Sequence, residues 1–325
     1  MLPLVSIITP AYNRASYLEE TIESVLNQDY PNIEYIVLDD GSTDNTREVL
    51  AKYTGRIIWE THTNMGETRT VNKGLAMARG DIVAVVNSDD PLLPGAVSEA
   101  VAYMEAHPDI LVAYPDWNYI GPDSKIIGHV RVSEYDYLQM LKHYDCMPGP
   151  GAFIRRKSLE LTSMRDPDFK YVSDFEYWLR LGLCGEFARI PMTLATWRLH
   201  PGSASLSRRG TVMSNEHVHL VERFYSLPDL PLKVRRVRPQ AFSSAYLQAA
   251  ASCNGARWAA FRHSLRAILY HPPTAFCSWV NWKRWGTVLL VMLPEPLGNF
   301  GRQLWYAKRS ASFKGRRFLK RDFNR

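Results

Sequence analysis

Two carboxylates, Asp89 and Asp90, stand side by side after an apolar run of five residues, 82–86, in the stretch "GDIVAVVNSDDPLLPG" (80–95). Adjacent acids repel and raise each other's pKa unless something positive lies between them. A divalent cation such as Mg2+ or Mn2+ meets that need, because it prefers oxygen ligands and shares its shell with substrate phosphates. A solvated turn is the competing reading, since Asp-Asp-Pro is a good turn sequence on its own. Two earlier apolar runs also end in polar groups, one in "TPAYNR" (9–14) and one in "DDGSTD" (39–44).

Those three ends need a frame that brings them to one edge. Residues 4–9 ("LVSIIT") form a continuous apolar, β-branched run, and 33–40, 56–60 and 82–86 repeat the pattern. Helical periodicity separates them. Over 16–28, Leu18, Ile22, Val25 and Leu26 share one face, and Ser16 with Glu19 has the spacing of a capping box. Further helices are predicted near 44–53 and 67–78. Strands apolar on both faces, alternating with helices of about a dozen residues, imply βαβ units and a mostly parallel sheet. In such sheets ligands bind at the carboxyl ends of the strands.

Beyond residue 111 the pattern is less regular, with a Gly/Pro stretch (147–156), a helix over 173–183 and a strand over 193–200. From about 213 onward the chain reads as helical. Residues 256–270 place Trp258, Phe261, Leu265 and Ile268 on one face and Arg262 with Arg266 on another.

With 325 residues, 46% hydrophobic and 22% charged, the chain has ample material for a packed core. The net charge of +6 hides an asymmetry. Residues 1–225 carry 21 basic and 30 acidic side chains, a net −9, whereas 226–325 carry 18 and 3, a net +15. A basic end on an acidic body points to an anionic surface as partner. The four cysteines (Cys146, Cys184, Cys253, Cys277) are scattered, with no C-x-x-C pair, and read as reduced thiols in a cytosolic setting. The N-terminus has no basic region ahead of its apolar run, so no signal peptide is expected. The apolar segment 287–293 is too short to span a bilayer. No G-x-G-x-x-G follows the first strand and no G-x-x-x-x-G-K-[ST] occurs, which disfavours dinucleotide redox and P-loop chemistry.

In order along residues 3–205, "VSIITPAYNRASYLEETIESVLNQDYPNIEYIVLDDGSTDNT", "NMGETRTVNKGLAMARGDIVAVVNSDD", "GPGAFIRR", "SDFEYWLRL" and "WRLHPGSAS" resemble the family 2 glycosyltransferases. The resemblance implies a GT-A fold: a Rossmann-like α/β architecture whose mixed, mostly parallel sheet is flanked by helices. Here it would occupy 1–210, with a nucleotide-sugar-binding part (1–115) and an acceptor and base part (116–210), followed by a helical, basic extension (211–325). It implies an inverting transfer from a nucleotide-diphosphate sugar, UDP-linked above all, to a glycan or lipid-linked acceptor, as in cell-surface polysaccharide synthesis. Pro10, Tyr12, Asn13 and Asp40 then match positions around the nucleotide base, and Arg69 is a candidate contact to base or diphosphate. Asp90 matches the ligand of Mn2+ or Mg2+ and Asp89 its ribose-side neighbour, with Asn87 where many members carry Asp. Asp174 matches the general base, with Ser173 in place of the usual Glu. His200 matches a position that reaches the metal or diphosphate, Arg198 and the "PGSAS" loop suggest a lid, and Glu176 and Trp178 are candidate acceptor contacts.

Each of these residues has a plainer reading: Tyr12 and Trp178 as core, Asp39 or Asp40 as a cap of the following turn and helix and Asp174 as a helix cap, Arg69 as a solvated arginine. For the C-terminal hundred residues, one expectation is a location in the cytoplasm, peripheral on the inner membrane face, with Trp279, Trp282, Trp285 and Trp305 at headgroup depth. The other is a helical bundle packed on the catalytic domain. Nucleic acid is not expected as a partner. The alternative to an enzyme is a catalytically weak GT-A-like binding protein recruited by its basic tail to membrane or RNA.

Overall fold

Alternation along the first strand decides the layers of the molecule. In β1 (Val5–Ala11), Val5 and Ile7 face one side of the sheet and Ile8 the other. In β2 (Ile33–Asp39), paired parallel to β1, Tyr35 and Val37 follow the first side and Ile36 and Leu38 the second. In β4 (Ile82–Val85), on the other edge of β1, Ile82 and Ala84 take the first side and Val83 the second. Both faces are apolar, so both must be covered. The computed structural model describes residues 2–200, 202–203 and 210–293.

The eight-stranded sheet runs β3-β2-β1-β4-β7-β5-β6. Here β3 is Ile58–Thr61, β5 Val112–Ile120, β6 Ile126–Val130 and β7 Phe153–Arg155, and β8 (Phe187–Arg198) pairs with β5 off this path. The run from β3 to β4 is parallel, β7 and β6 are antiparallel to their neighbours, and β8 is parallel to β5. On the first face lie α1 (Ala15–Leu26), α2 (Thr46–Ala51) and α4 (Ala96–Ala106). On the second lie α3 (Glu67–Met77), α5 (Tyr137–His143) and α7 (Ser173–Leu181); α6 (Ser158–Leu161) is a single turn after β7.

The C-terminal helices are α8 (Thr211–Tyr225), α9 (Leu232–Arg236), α10 (Arg238–Ser252), α11 (Arg257–Tyr270), α12 (Pro272–Cys277) and α13 (Trp279–Met292). Val221, Phe224, Val234, Phe242 and Leu247 enter the same core as Ile8, Ile36, Phe169 and Phe175.

Close approach of α3 to β1 explains one glycine. A Cβ on Gly74 would stand 2.3 Å from Cγ2 of Ile8. The helix lies on the strand that carries the first polar end, which holds the two in register.

Two expectations are corrected. The Ser16–Glu19 capping box does not form, and α1 begins at Ala15 without a side-chain cap of its own. Its first amides are served by a neighbouring loop instead: Arg14 N donates to Thr46 Oγ1 (3.0 Å) and Ala15 N to Asp44 Oδ2 (3.2 Å). β8 begins at Phe187 rather than 193, because the charged Arg189 is buried and paired to Asp116 of β5 (2.6 Å). Apolar patterning does not register a strand whose buried residue is an arginine.

Candidate active site

The strand ends do converge, and neighbouring elements hold them there. Thr21 of α1 donates to the Ser88 carbonyl (3.1 Å) and Thr196 of β8 to the Pro91 carbonyl (2.6 Å), clamping the segment that carries Asp89 and Asp90 from both sides. Arg198, fully buried at the end of β8, donates its Nε to the Asp89 carbonyl (2.8 Å), its Nη2 to Glu20 of α1 (2.7 Å) and its Nη1 to Ser124 Oγ (2.9 Å), and lies over the Tyr17 ring.

Within this clamp the two acids differ. The Asp90 carboxylate is spent: Oδ1 accepts Arg198 N (2.7 Å) and Oδ2 accepts Asn87 Nδ2 (2.9 Å). Burial first, and the Asp89 carboxylate second, push its carboxyl well above the usual range. Asp89 turns Oδ2 to His200 Nε2 (2.8 Å) and to Arg14 Nε (3.4 Å), while Oδ1 accepts no hydrogen bond from the described residues. The imidazole also packs against Tyr17, with ring centroids 4.7 Å apart. Arg14 reaches the Gly202 carbonyl as well (3.3 Å).

A second group faces the same space. Asp174 lies exposed in the first turn of α7, its Oδ1 touching only the adjacent Phe175 N (2.7 Å). Glu67, at the start of α3, is exposed. Desolvation raises its carboxyl, Arg165 lowers it, the charges of Asp174 and Asp89 raise it further, and Arg14 opposes them. One side chain thus lies within electrostatic reach of both Asp89 and Asp174.

Arg165 is held there by a strut. Asn72 of α3 clamps its backbone, donating to the carbonyl (2.8 Å) and accepting the amide (3.2 Å). From the other side Arg180 of α7 donates to the Ser163 (2.8 Å) and Met164 (2.8 Å) carbonyls while pairing with Glu176 (2.8 Å).

At the ends of β1 and β2, Tyr12 is exposed at the tip of β1 and Pro10 is buried within it. Asn13 adopts a left-handed backbone (φ 53), which Asn tolerates better than most residues. Its Oδ1 accepts Thr43 N (2.8 Å) and Asp44 N (3.3 Å), tying the loop after β1 to the loop after β2. Asp40 is buried, with one carboxylate oxygen on Met65 N (2.7 Å) and the other on Gly66 N (3.0 Å). Its neighbour Asp39 is consumed by Ser42 N, Thr61 Oγ1 and Arg47.

A family model, Glycosyl transferase family 2, matches residues 6–161. The chain is 32% identical over 213 residues to an Escherichia coli UDP-Glc:alpha-D-GlcNAc-diphosphoundecaprenol beta-1,3-glucosyltransferase, covering 64% of this chain and 82% of that one. This chain belongs to glycosyl transferase family 2. It is also similar to an uncharacterized Haemophilus influenzae glycosyltransferase (29% identical, 62% of this chain and 68% of that one). Among solved structures, S. aureus TarS 1-349 in complex with UDP-GlcNAc aligns with TM-score 0.61 at 17% identity, over 99% of this chain and 94% of that one. The Pyrobaculum calidifontis mannosyltransferase PcManGT in complex with GDP-Man and Mn2+ aligns at 0.59 and 17%, over 96% and 87%. These likenesses show the GT-A fold.

Set against the family pattern, several residues sit differently from expectation. Asp90, expected to hold the metal, is bound into the frame, and it is Asp89 that meets His200. Glu176, expected near an acceptor, is buried and locked to Arg180, and Trp178 is core, packed on Tyr177 and Phe187. Asn13 braces two loops through its side chain. Asp174 does not cap α7, whose N-cap is Val172; Asp39 caps the turn after β2 by accepting Ser42 N (3.0 Å), while Asp40 does not cap α2, whose N-cap is Asn45. Arg69 is exposed on α3. Arg198 is a structural hub rather than part of a lid; of "PGSAS", residues 201, 204 and 205 lie outside the described residues.

Arg14, Glu67 and Arg165 went unnoticed in the sequence. The first two carried a signal, in "YNR" beside Tyr12 and "MGETR" beside Arg69. Arg165 carried none, because its place depends on Asn72 and Arg180.

Among the described residues no group of three or more His, Cys, Asp or Glu could hold a metal alone. Asp89, with its unengaged Oδ1, and His200 offer two donors, which fits a hard cation that completes its shell with waters and substrate phosphates.

Proposed function

We propose that this glycosyltransferase moves a sugar, with inversion, from a UDP-linked donor to a hydroxyl of a glycan or lipid-linked acceptor in cell-surface polysaccharide synthesis. The observation that supports the reading is proximity: Glu67 lies within electrostatic reach of both Asp89, which meets His200 and Arg14, and the exposed Asp174. The names of the relatives support the substrate class. The E. coli relative is a UDP-glucose enzyme acting on a diphosphoundecaprenol-linked sugar, and a Bacillus subtilis relative (40% identical over 107 residues, 31% of this chain and 42% of that one) is a putative teichuronic acid biosynthesis glycosyltransferase.

In this reading Tyr12 offers a face for the base to stack on, since aromatic stacking tolerates any base. Asp40, held rigid by two amides, accepts from a ring N–H. Asp89 and His200 would hold Mn2+ or Mg2+, which would supply Lewis-acid stabilisation of the departing nucleoside diphosphate. Arg14 stands beside them and adds positive charge where the nucleoside diphosphate departs. Asp174 takes the proton from the acceptor hydroxyl as its oxygen attacks the anomeric carbon. Arg165, braced by Asn72, helps offset the crowding of Asp174 and Glu67.

The test is donor binding and transfer measured separately. UDP binds tighter with Mn2+ than without it, and Asp174→Asn retains that binding while losing at least a hundredfold in transfer, the order a general base contributes. Transfer by Asp174→Asn at the wild-type rate removes the base, and UDP affinity indifferent to Mn2+ removes the cation.

A further inference from the structure

The helix α11 does not bury its large side chains. It rests on α10 through Ala260, Ser264 and Ala267. Trp258 (79% exposed), Phe261 (48%), Leu265 (47%) and Leu269 (73%) point to solvent, spaced three and four residues apart and so on one stripe. The helix α13 repeats the arrangement. It is seated through Asn281, Arg284, Val288 and Val291, and leaves Trp279 (74%), Trp282 (62%) and Leu289 (65%) outside. Both helices pack on α10 and on each other, so their outer stripes face away from a shared support.

Single exposed apolar residues are ordinary, but seven large ones on two helices packed against each other mark an interaction surface. Charge says what it meets. Arg257, Arg262, Arg266 and Lys283 are exposed on the same two helices, and Lys283 leans over the Trp279 ring (5.5 Å). No acidic residue occurs between Asp229 and Glu295.

We propose that the joint face of α11 and α13 docks on an anionic lipid bilayer. Helices with tryptophan, phenylalanine and leucine on one side and arginine or lysine beside them lie in the interface plane, with tryptophan at headgroup level. The missing acids remove the repulsion that an anionic leaflet would otherwise exert. A second copy of the chain would bring an equally basic face and be repelled. A nucleic acid would call for cations at the centre of the patch, where aliphatic Leu265, Leu269 and Leu289 stand instead. Among the described residues no helix is long and apolar enough to cross a membrane, which suits helices that lie flat. The inference goes beyond the proposed reaction and does not rest on it.

The experiment is co-sedimentation of the full chain with vesicles of phosphatidylcholine alone or mixed with phosphatidylglycerol. The wild type binds the anionic vesicles, and Arg262→Ser with Arg266→Ser lowers the partition coefficient about 30-fold, equivalent to about 1 kcal/mol per arginine. Trp258→Ser, Trp279→Ser and Trp282→Ser together abolish binding with unchanged circular dichroism, because all three side chains lie outside the core. Asp174→Asn stays bound whether or not it transfers sugar. Equal binding to neutral and anionic vesicles overturns the proposal. So does wild-type binding by the triple variant, which would put the contact in residues 294–325, and so does a vesicle-free dimer that the triple variant dissolves.

Discussion

Asp89 and Asp90 are adjacent in the chain, yet only one has a carboxylate oxygen to spare. The frame amides occupy Asp90, and its carboxyl is raised by burial and by its neighbour's charge. An amide can replace it with little loss, since an Asn oxygen still accepts Arg198 N and its NH2 still meets Asn87 after an amide flip. Asp90→Asn is therefore expected to raise the melting temperature, because it removes a carboxyl that burial and the Asp89 charge disfavour in its ionised form. It keeps Mn2+-dependent UDP binding. Asp89→Asn should do the reverse, with an unchanged melting temperature and Mn2+-dependent UDP affinity down at least tenfold. Differential scanning fluorimetry and calorimetric titration of both variants check the pair. A UDP affinity lost in Asp90→Asn and kept in Asp89→Asn would return the metal to Asp90.

At the scale of elements, the cleft depends on contacts between segments far apart in sequence. Asn72 on α3 holds Arg165, 93 residues away, by two backbone bonds. Asn72→Ala leaves an amide and a carbonyl without partners at about 1–3 kcal/mol each if they stay dry. The expected result is faster limited proteolysis within 162–168 and a fall in kcat/KM of about tenfold, with circular dichroism unchanged.

The β5–β8 seam rests on Asp116 and Arg189. Burial alone would raise the Asp116 carboxyl, but the bonds from Arg189 and the Val132 amide outweigh it and hold it below the usual 3.8. A depressed carboxylate contributes stability above its unfolded pKa, and that contribution is lost as pH falls through the lower, folded value. Asp116→Asn should cost about 3 kcal/mol at pH 7, the low end for a broken buried pair because Glu134 still faces Arg189. The gap from wild type, read by urea unfolding, narrows below about pH 4.

These seams also set the limit of what could be read from the chain. The βαβ half was legible because its strands are apolar on both faces and each is followed by a periodic helix. Asp89, Asp90 and Asp174 were legible because they stand at element ends in recurring motifs. The start of β8, the identity of the freer acid and the place of Arg165 were not, because each is decided by a partner 73 to 108 residues distant.

At the scale of the whole molecule, the helices after residue 210 are part of what closes the sheet. Val218, Phe224, Phe242 and Leu247 bury the same cluster as Met140, Phe169 and Phe175. Arg284 of α13, itself buried, donates to the carbonyls of His143 (2.6 Å) and Tyr144 (2.6 Å) at the end of α5. Burial brings its guanidinium down to about 10, against the opposing charge of Asp145. Glu216 of α8 accepts the Tyr171 amide (2.7 Å) just ahead of Asp174, so the segment carrying the proposed base is tied in part to the C-terminal side. A chain ending at residue 210 would open to water the part of this core that Val218, Phe224, Phe242 and Leu247 cover. It should therefore lack a cooperative thermal transition, bind 8-anilinonaphthalene-1-sulfonate, and bind UDP poorly even though it keeps Tyr12, Asp40, Asp89 and His200. The full chain should melt in one transition, with near-UV and far-UV dichroism coincident. A soluble 1–210 fragment that melts cooperatively and binds UDP with wild-type affinity would make the C-terminal helices an appendage, and their place in the core would then add nothing to the stability of the catalytic sheet.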